Sequence, residues 1–517
     1  MWKFPKSFRR LSMFDKEKLL YNPDKRLFLG IDKIFHLLKD HYGPDLNSPL
    51  GNTSCALIDK TILSDPYENI GVDFTKILSN KIYKKYHDGI TTGILLLYAL
   101  LKNSYCVCHQ ELSPYQLSIA LKKMGKKLLS ALRNQSLPLK DKTKAKNIIF
   151  SAVPDLEIAT EISEAFSQVG SDGFIFISHQ ESTAMQITQG LHIPHGYIVP
   201  YFLMQSPPRS FVLSQPRIFV TDKKITTILH FLPLLQELRE HHESLLLVCQ
   251  DIDPNVLSTL TLNRLEGLLH IVVVRIPTTC SEANSFFEDI SLFTGTNVFS
   301  HSSSPQGPIP ERSSLGSCDF VEISEKHTML MHGKGVSEFL KLKIHQIDKE
   351  IRTNSCQIKK TELIQRKRRL QSSVAILPIK ETLAPLYSVA LSTLTSAIES
   401  GYIPGGGAGI FYAALQLNHE KELSEEEKAA RTILRTSALT LMEQLANAAQ
   451  LDGKAITEKL ISLETPSLGI NVISRQIEDL IASGILDPLG KIEDIFSFAL
   501  ETAITILLTK GVIHAPR

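Results

Sequence analysis

The hydrophobic pattern changes along the chain from a helical period to short strand-like runs and back, and this order constrains the fold more than any other feature. The first third carries apolar residues three and four positions apart, which predicts amphipathic helices. These predicted helices cover residues 26–38, 67–86, 91–102 and 114–132. Residues 383–512 have the same helical character. We therefore expect a mainly helical domain at both ends of the chain.

The middle third alternates strand and helix patterns. Apolar, β-branched runs begin at Arg217, Leu245 and His270 and are typical of buried strands. Amphipathic segments at 228–240 and 254–268 lie between them, which indicates an α/β domain. A chain of 517 residues is too long for one core, and its length predicts roughly three domains. The order of patterns predicts a central domain inserted into a helical one.

Composition argues against several classes of partner. The net charge of +2 produces no field that would favour nucleic acid or an anionic membrane. The basic run 366–369 fits a nucleic-acid patch or, since acidic residues precede it, the solvated face of a helix. The longest apolar run, 94–101, is far shorter than the roughly 20 residues that span a bilayer. Seven scattered cysteines fit a reducing compartment. We expect a cytoplasmic protein that binds neither nucleic acid nor membrane.

The segment Asp88-Gly89-Ile90-Thr91-Thr92 stands before a strongly apolar helix. Backbone N–H groups at a helix N-terminus suit phosphate, Gly89 permits close approach, and the threonine hydroxyls can donate to phosphate oxygens. Asp88 is a hard oxygen ligand that could hold Mg²⁺. The same residues also form an ordinary turn and helix cap, and on this segment alone that structural interpretation is favoured.

Three consecutive glycines, Gly405, Gly406 and Gly407, follow Pro404 and open another helix. Glycine lets the backbone approach a ligand closely, although a flexible link explains the same residues.

Several motifs together resemble the GroEL-type group I chaperonin family from about residue 21 to residue 512. Five of them surround ATP in that family and occur here in the same order: Tyr42-Gly43-Pro44, Asp88–Thr92, Gly405–Gly407, Ile470-Asn471-Val472 and Ile485–Pro488. Outside these, Tyr67–Gly71 resembles the family's Phe-Glu-Asn-Met-Gly, and Gly196–Phe202 resembles its Gly-Tyr-Leu-Ser-Pro-Tyr-Phe.

The resemblance implies an α+β, mainly helical, three-domain chaperonin subunit. Its equatorial nucleotide-binding domain would comprise 1–134 and 400–517, its intermediate hinge domain 135–188 and 367–399, and its inserted α/β apical domain 189–366. It also implies ATP and Mg²⁺ as cofactors, with Asp88 on the metal. The implied nucleotide-binding residues are Tyr42, Gly43, Pro44, Asp88, Gly89, Ile90, Thr91, Thr92, Gly405, Gly406, Gly407, Asn471, Val472 and Asp487.

The chain departs from the family at the residues that drive hydrolysis. In the family, a carboxylate on an intermediate-domain helix positions the attacking water, and a second carboxylate lies near the γ-phosphate. The matching positions here are Val389 and Thr53, neither of which can supply that charge. Loss of one acid–base group typically costs about 10²- to 10⁴-fold in rate. Ile90 also replaces the first threonine of the phosphate loop. We expect ATP turnover to be weak or absent.

The family's client surface is better preserved. The resemblance implies two kinds of partner for an apolar groove on the apical domain: non-native polypeptides and a GroES-type co-chaperonin. The matching residues are Tyr197, Tyr201, Phe202, Leu232, Leu235, Leu257, Thr261 and Leu262. Without the resemblance, leucines on an amphipathic helix are more often core residues.

Three hypotheses of function follow. The leading one is a divergent chaperonin paralogue that binds clients with little ATP turnover. The second is a working ATP-driven folding machine, for instance in a mixed ring with an ordinary chaperonin paralogue. The third is a scaffold protein without a folding role. The segment between Pro44 and Thr53 is shorter than in the family, where it forms a hairpin that pairs with the neighbouring subunit. A homo-oligomeric ring is therefore not expected to be stable.

Overall fold

The computed structural model describes residues 23–39, 42–43, 52–108, 112–170, 173–178, 185–198, 210–277, 283–299, 311–325, 327–354, 356–417, 423–463 and 465–509. The chain divides into two compact units. The helical unit comprises residues up to 167 and from 380 onward, and the inserted unit comprises 168–379. The insertion predicted from the sequence pattern is confirmed. The further division into an intermediate and an apical domain stays a prediction.

The α-helices are numbered in chain order over the described residues. They are α1 (Pro23–Leu38), α2 (Asn52–Lys60), α3 (Pro66–Tyr86), α4 (Ile90–Cys108), α5 (Pro114–Arg133), α6 (Lys142–Ala152), α7 (Leu156–Val169), α8 (Leu232–Glu240), α9 (Pro254–Leu265), α10 (Ala283–Thr294), α11 (Ser337–Thr353), α12 (Gln357–Gln371), α13 (Ala384–Ser400), α14 (Ala408–Gln416), α15 (Glu425–Ala448), α16 (Gly453–Leu463) and α17 (Leu489–Leu508).

The β-strands are numbered in the same way. They are β1 (Phe174–Ser178), β2 (Gln186–Ile193), β3 (Ser210–Ser214), β4 (Arg217–Ile225), β5 (Ser244–Ile252), β6 (His270–Arg275), β7 (Val298–Phe299), β8 (Gly316–Ser324), β9 (Thr328–Gly333), β10 (Ser373–Pro378), β11 (Tyr402–Pro404), β12 (Leu468–Asn471), β13 (Gln476–Asp479) and β14 (Leu486–Pro488).

The core of the helical unit is built around α4. Residues 94–101 of this helix are each at most 6% exposed, and α4 packs against α15 and α17. The stretch Ile90–Val107 is long and apolar enough to cross a bilayer, but 61% of it is buried inside the protein. A buried core helix has the same composition as a membrane span, so α4 is weak evidence for a membrane protein.

Two small antiparallel sheets lie in the carboxy-terminal half of the helical unit. Strand β11 pairs with β14, and β12 pairs with β13. The expectation of helix throughout 383–512 is therefore wrong at these strands. Each of them has only three or four residues, which is too short for a period-two pattern to stand out from the helical background.

The inserted unit is built on a mixed sheet with the order β1-β10-β2-β9-β8-β4-β5-β6, in which β3 also pairs with β8 and β7 with β4. Strands β4, β5 and β6 are parallel neighbours. The connections between them carry α8 and α9. Right-handed crossovers that advance in one direction place both helices on the same face of the sheet.

Candidate functional site

The predicted phosphate loop lies at the N-terminus of α4. Gly89 has a φ of +86°, a conformation that favours glycine. A Cβ at this position would also stand 2.4 Å from Cδ1 of Ile495. Thr91 and Thr92 follow in the first turn and are half-buried, whereas Ile90 is 2% exposed and belongs to the core. The backbone here can present N–H groups to an anion, as the sequence predicts.

The triple glycine and the Gly43 turn meet around one leucine. Gly43, Gly406 and Gly407 have φ values of +121°, +59° and +78°. A Cβ on Gly43 or Gly406 would lie 3.7 or 3.3 Å from the methyl groups of Leu445, and a Cβ on Gly407 would lie 3.7 Å from the Tyr42 hydroxyl. Two segments separated by more than 350 positions thus form one glycine-lined surface.

Asp487 lies beside the triple glycine. The backbone N–H of Gly406 donates to its carboxylate, and Gly405 donates to the carbonyl oxygen of Ile485 at 2.9 Å. Burial raises the pKa of Asp487 to about 6; the negative charge of Asp88 acts in the same direction, and the ammonium of Lys491 opposes it. Asp88 and Asp487 are therefore close enough to interact electrostatically.

Tyr42 faces the same site. Burial raises the pKa of its hydroxyl, and the negative charge of Asp487 adds to that effect. The hydroxyl also hydrogen-bonds to Thr92. These contacts connect the Gly43 turn, the phosphate loop and β14.

Lys491 was not predicted as a site residue, yet it pairs directly with the carboxylate of Asp88. It lies in the first turn of α17 and is only 6% exposed. Burial alone would raise the pKa of Asp88, but the charge and the hydrogen bond of Lys491 outweigh burial and lower it. A lysine four positions after Asp487 has no distinguishing pattern, so the sequence offers little signal for this contact.

The remaining predicted nucleotide residues lie in or beside this region. Asn471 ends β12, and its side-chain oxygen accepts the Ile473 N–H at 3.0 Å while its amide donates to Glu478 at 3.1 Å. The Ile470 carbonyl oxygen would be 3.9 Å from a Cβ on Gly406. Val472 is half-buried in the turn after β12. Pro44 lies outside the described residues.

Val389 and Thr53 occupy the two positions where the family has carboxylates. Val389 is 7% exposed on α13. One turn later, the Ser392 hydroxyl donates to the Tyr86 carbonyl oxygen at 3.2 Å, which places α13 beside the end of α3, two residues before Asp88. Thr53 belongs to α2, but its side chain is outside the described residues. Its neighbour Ser54 is 3.1 Å from the Thr91 hydroxyl, so α2 begins next to the phosphate loop.

The predicted client residues divide into exposed and buried members. Leu232 and Leu262 are 40% and 57% exposed, as expected. The exposure expected for Leu235, Leu257, Thr261 and Tyr197 is wrong, because these residues are between 3% and 6% exposed. Tyr201 and Phe202 lie outside the described residues.

The buried residues among these face the inserted unit's own core. Leu235 and Leu257 pack with the strands below α8 and α9, and the Tyr197 ring packs edge-on against Phe211. Two exposed leucines on the same two connections were missed: Leu229 is 67% exposed and Leu265 is 54% exposed. Leu229 begins the 3₁₀ turn Leu229–Phe231 that precedes α8, and Leu265 ends α9. Whether such residues face solvent depends on helix register, which hydrophobicity alone does not determine.

The site fits a nucleotide better than it fits a metal ion. The glycine backbone can be approached closely, and the α4 N-terminus offers N–H donors that suit phosphates. The carboxylate of Asp88, however, already binds the ammonium group of Lys491, and the positive charge of that group would repel Mg²⁺ from the same carboxylate. Within the residues that the structure describes, no cluster of three or more His, Cys, Asp or Glu side chains could hold a metal.

The fold is that of a chaperonin subunit. Two crystal forms of the chaperonin gp146 from the bacteriophage EL 2 (Pseudomonas aeruginosa), both in the presence of ATP-BeFx, match with TM-scores of 0.69 and 0.62. Sequence identity is 16% and 15%, and each match covers 96% of this chain and 98% of the other.

Residues 72–517 match the model of the TCP-1/cpn60 chaperonin family. The chain is 27% identical to "Chaperonin GroEL 3" of Protochlamydia amoebophila (strain UWE25), over 96% of this chain and 97% of the relative. The chain therefore belongs to the TCP-1/cpn60 chaperonin family and is a divergent GroEL-type chaperonin.

Proposed function

We propose that this chaperonin binds non-native polypeptides and assists their folding, with weak or absent ATP turnover. Family and fold support a chaperonin-like folding role. The glycine surface formed by Gly43, Gly406 and Gly407, beside the α4 N-terminus, supports retention of nucleotide binding. We also propose that the protein acts as a soluble protein of the cytoplasm.

One observation carries the proposal of weak turnover. Val389 is a buried, apolar residue on α13, the helix that contacts the carbonyl group of Tyr86 through Ser392. The only carboxylate in α13 is Glu399, nearly three turns further along the helix. Valine cannot orient or polarise a water molecule, and phosphoryl transfer depends on positioning and electrostatics. The site therefore has recognition groups for phosphate without a group on α13 that activates water.

The test is a phosphate-release assay on the purified protein and on Val389→Asp, with Val389→Asn as the matched uncharged control. We expect the wild-type rate to be at background. Val389→Asp should raise it by about ten-fold or more, with a further rise on adding Thr53→Asp, because each change supplies a missing carboxylate. Val389→Asn should have no effect. A wild-type rate within ten-fold of an ordinary chaperonin measured in parallel would contradict the proposal.

The client surface is proposed to lie on the face of the sheet that carries α8 and α9. Leu229, Leu232, Leu262 and Leu265 are exposed there, and each leucine buried by a client contributes about 1.5–3 kcal/mol. Several such contacts can hold an unfolded chain without nucleotide chemistry. This binding activity requires neither a co-chaperonin nor pairing with another chaperonin.

A further inference from the structure

Lys491 is an unusual residue to find buried. Lysine is among the residues least often removed from solvent, because its charge is costly to bury unless it is paired. Here the residue is 6% exposed and its ammonium group binds the carboxylate of Asp88. The Asp88 side chain keeps 34% of its exposure. The lysine side of the ion pair is therefore buried, whereas the aspartate side is partly accessible to solvent.

The position of Lys491 in its helix is also unfavourable. The first turn of a helix is the positive end of its dipole and prefers acidic side chains. Lys491 is the third residue of α17, which begins at Leu489. Its charge is therefore balanced by groups outside the helix, namely the carboxylates of Asp88 and Asp487. The Gly406 N–H and the Tyr42 hydroxyl lie near Asp487, and Tyr42 in turn contacts Thr92.

Two interacting carboxylates beside a phosphate-binding loop are the arrangement that a divalent cation stabilises. In this protein a side chain supplies the cation. We propose that the ammonium group of Lys491 takes the place of a divalent metal ion at Asp88, so that nucleotide binds at this site without Mg²⁺. The part of this inference that concerns nucleotide rests on the proposed function, whereas exclusion of the metal does not.

An ammonium group has three N–H donors, so it can bind Asp88 and a phosphate oxygen at the same time. It carries one positive charge where Mg²⁺ carries two. Because metal ions bridge phosphate groups and neutralise the charge that develops during transfer, a lysine in that place supports binding better than turnover. The lysine and Val389 thus have the same consequence for the reaction.

Metal exclusion is tested first, with Mn²⁺ alone as the probe and electron paramagnetic resonance of free Mn²⁺ as the readout. The wild-type protein should show no site, and Lys491→Met, which keeps the length of the side chain and removes its charge, should gain one. The matched control, Asp88→Asn with Lys491→Met, is neutral at both positions and should bind no Mn²⁺. A wild-type site as tight as that of Lys491→Met, or no site in either protein, overturns the proposal.

Folding of the variant is informative as well. Lys491→Met leaves the Asp88 carboxylate without its partner and can unfold in EDTA. Recovery of structure on adding Mn²⁺, followed by circular dichroism, supports the proposal. A variant that stays unfolded with Mn²⁺ while the neutral double variant folds overturns it, because a metal then cannot replace the ammonium group.

Nucleotide binding is tested second, with fluorescent ADP in EDTA and in Mg²⁺. The wild-type dissociation constant should be the same in both conditions. For Lys491→Met it should be about ten-fold weaker in EDTA and recover in Mg²⁺. Wild-type binding that needs Mg²⁺ overturns the inference. If the protein binds no nucleotide at all, both the proposed retention of nucleotide binding and the proposed binding without Mg²⁺ are overturned. The Mn²⁺ result still decides whether Lys491 excludes a metal ion.

Discussion

Asp289 of α10 is fully buried and binds the guanidinium group of Arg369 at 2.7 Å. Arg366, one turn earlier on α12, binds the other carboxylate oxygen at 2.6 Å. The side chains of Arg366 and Arg369 are 14% and 9% exposed. These two members of the basic run 366–369 are thus internal ion-pair residues. The interpretation of the whole run as a solvated helix face is wrong for them, and neither is available to a nucleic acid.

Removing the Asp289 charge should destabilise the inserted unit strongly. Asp289→Asn leaves two guanidinium groups without their buried partner, and breaking such a pair costs about 3–5 kcal/mol. Differential scanning calorimetry of the full chain should show a lower transition temperature. The matched control is Glu288→Gln, since Glu288 also binds Arg366 but keeps 46% of its side-chain exposure. Its effect should stay below about 1 kcal/mol, and equal losses for the two variants would contradict this assignment.

Glu243 should make the protein less stable in acid. Hydrogen bonds from Arg312, opposed by burial and aided by Arg217, lower the pKa of Glu243 to about 2. A carboxylate with a lowered folded-state pKa contributes its stability above its ordinary pKa and loses it as pH falls towards the folded value. Glu243→Gln should therefore cost about 1 kcal/mol at pH 7, after allowance for solvent screening, and nothing near pH 2.

The measurement is the unfolding temperature of wild type and Glu243→Gln from pH 7 down to pH 3. The difference between the two proteins should narrow below about pH 4.5. Glu266→Gln, an exposed glutamate at the end of α9, is the control. A difference that is constant with pH would mean that the charge of Glu243 is not what stabilises the fold.

Charge on the exposed leucines should weaken client binding without unfolding the protein. Leu229→Glu and Leu262→Glu should each raise the concentration needed for half-maximal suppression of a model substrate's aggregation by about ten-fold. Ile77→Glu, at a residue that is 63% exposed on the helical unit, should have no effect. Circular dichroism checks folding. Full activity in both folded leucine variants would remove this face as the client site.

Leu235 should behave differently from the exposed leucines. It is 5% exposed and packs in the inserted unit's core. Leu235→Ala should therefore lower stability by about 2–5 kcal/mol through lost contacts and a cavity. Calorimetry should detect this loss, and aggregation suppression should survive wherever the variant is folded. If Leu235→Ala keeps its stability but no longer suppresses aggregation, Leu235 is part of the client surface after all.

The isolated protein should not form a stable double seven-membered ring, since the segment between Pro44 and Thr53 is short for the family's intersubunit hairpin. Multi-angle light scattering in physiological buffer should show small species with and without ATP. The same measurement after mixing with an ordinary chaperonin tests the mixed-ring alternative. A ring-sized peak of the isolated protein that persists on dilution would refute the expectation.

Much of the architecture was predictable from local patterns. The strands that begin near Arg217, Leu245 and His270 form β4, β5 and β6, and the glycine motifs around Gly89 and Gly406 adopt the positive φ angles that explain their composition. The short strands β11 to β14 were not predicted. Hydrophobic periodicity and turn-forming residues are local properties of the sequence. They predict an element correctly where that element is long enough for its period to recur.

The order of motifs identified the family, and the hydrophobic pattern predicted the insertion of one unit into another. By resemblance, the sequence also predicts that Thr53 and Val389 stand where the family has carboxylates. Tertiary structure alone decided which leucines face solvent, because one step along a helix turns a side chain by 100° and hydrophobicity does not define that angle. It also decided the partner of Asp88. Lys491 is 403 positions away, and an ion pair between such distant residues exists only because folding brings α4 and α17 together.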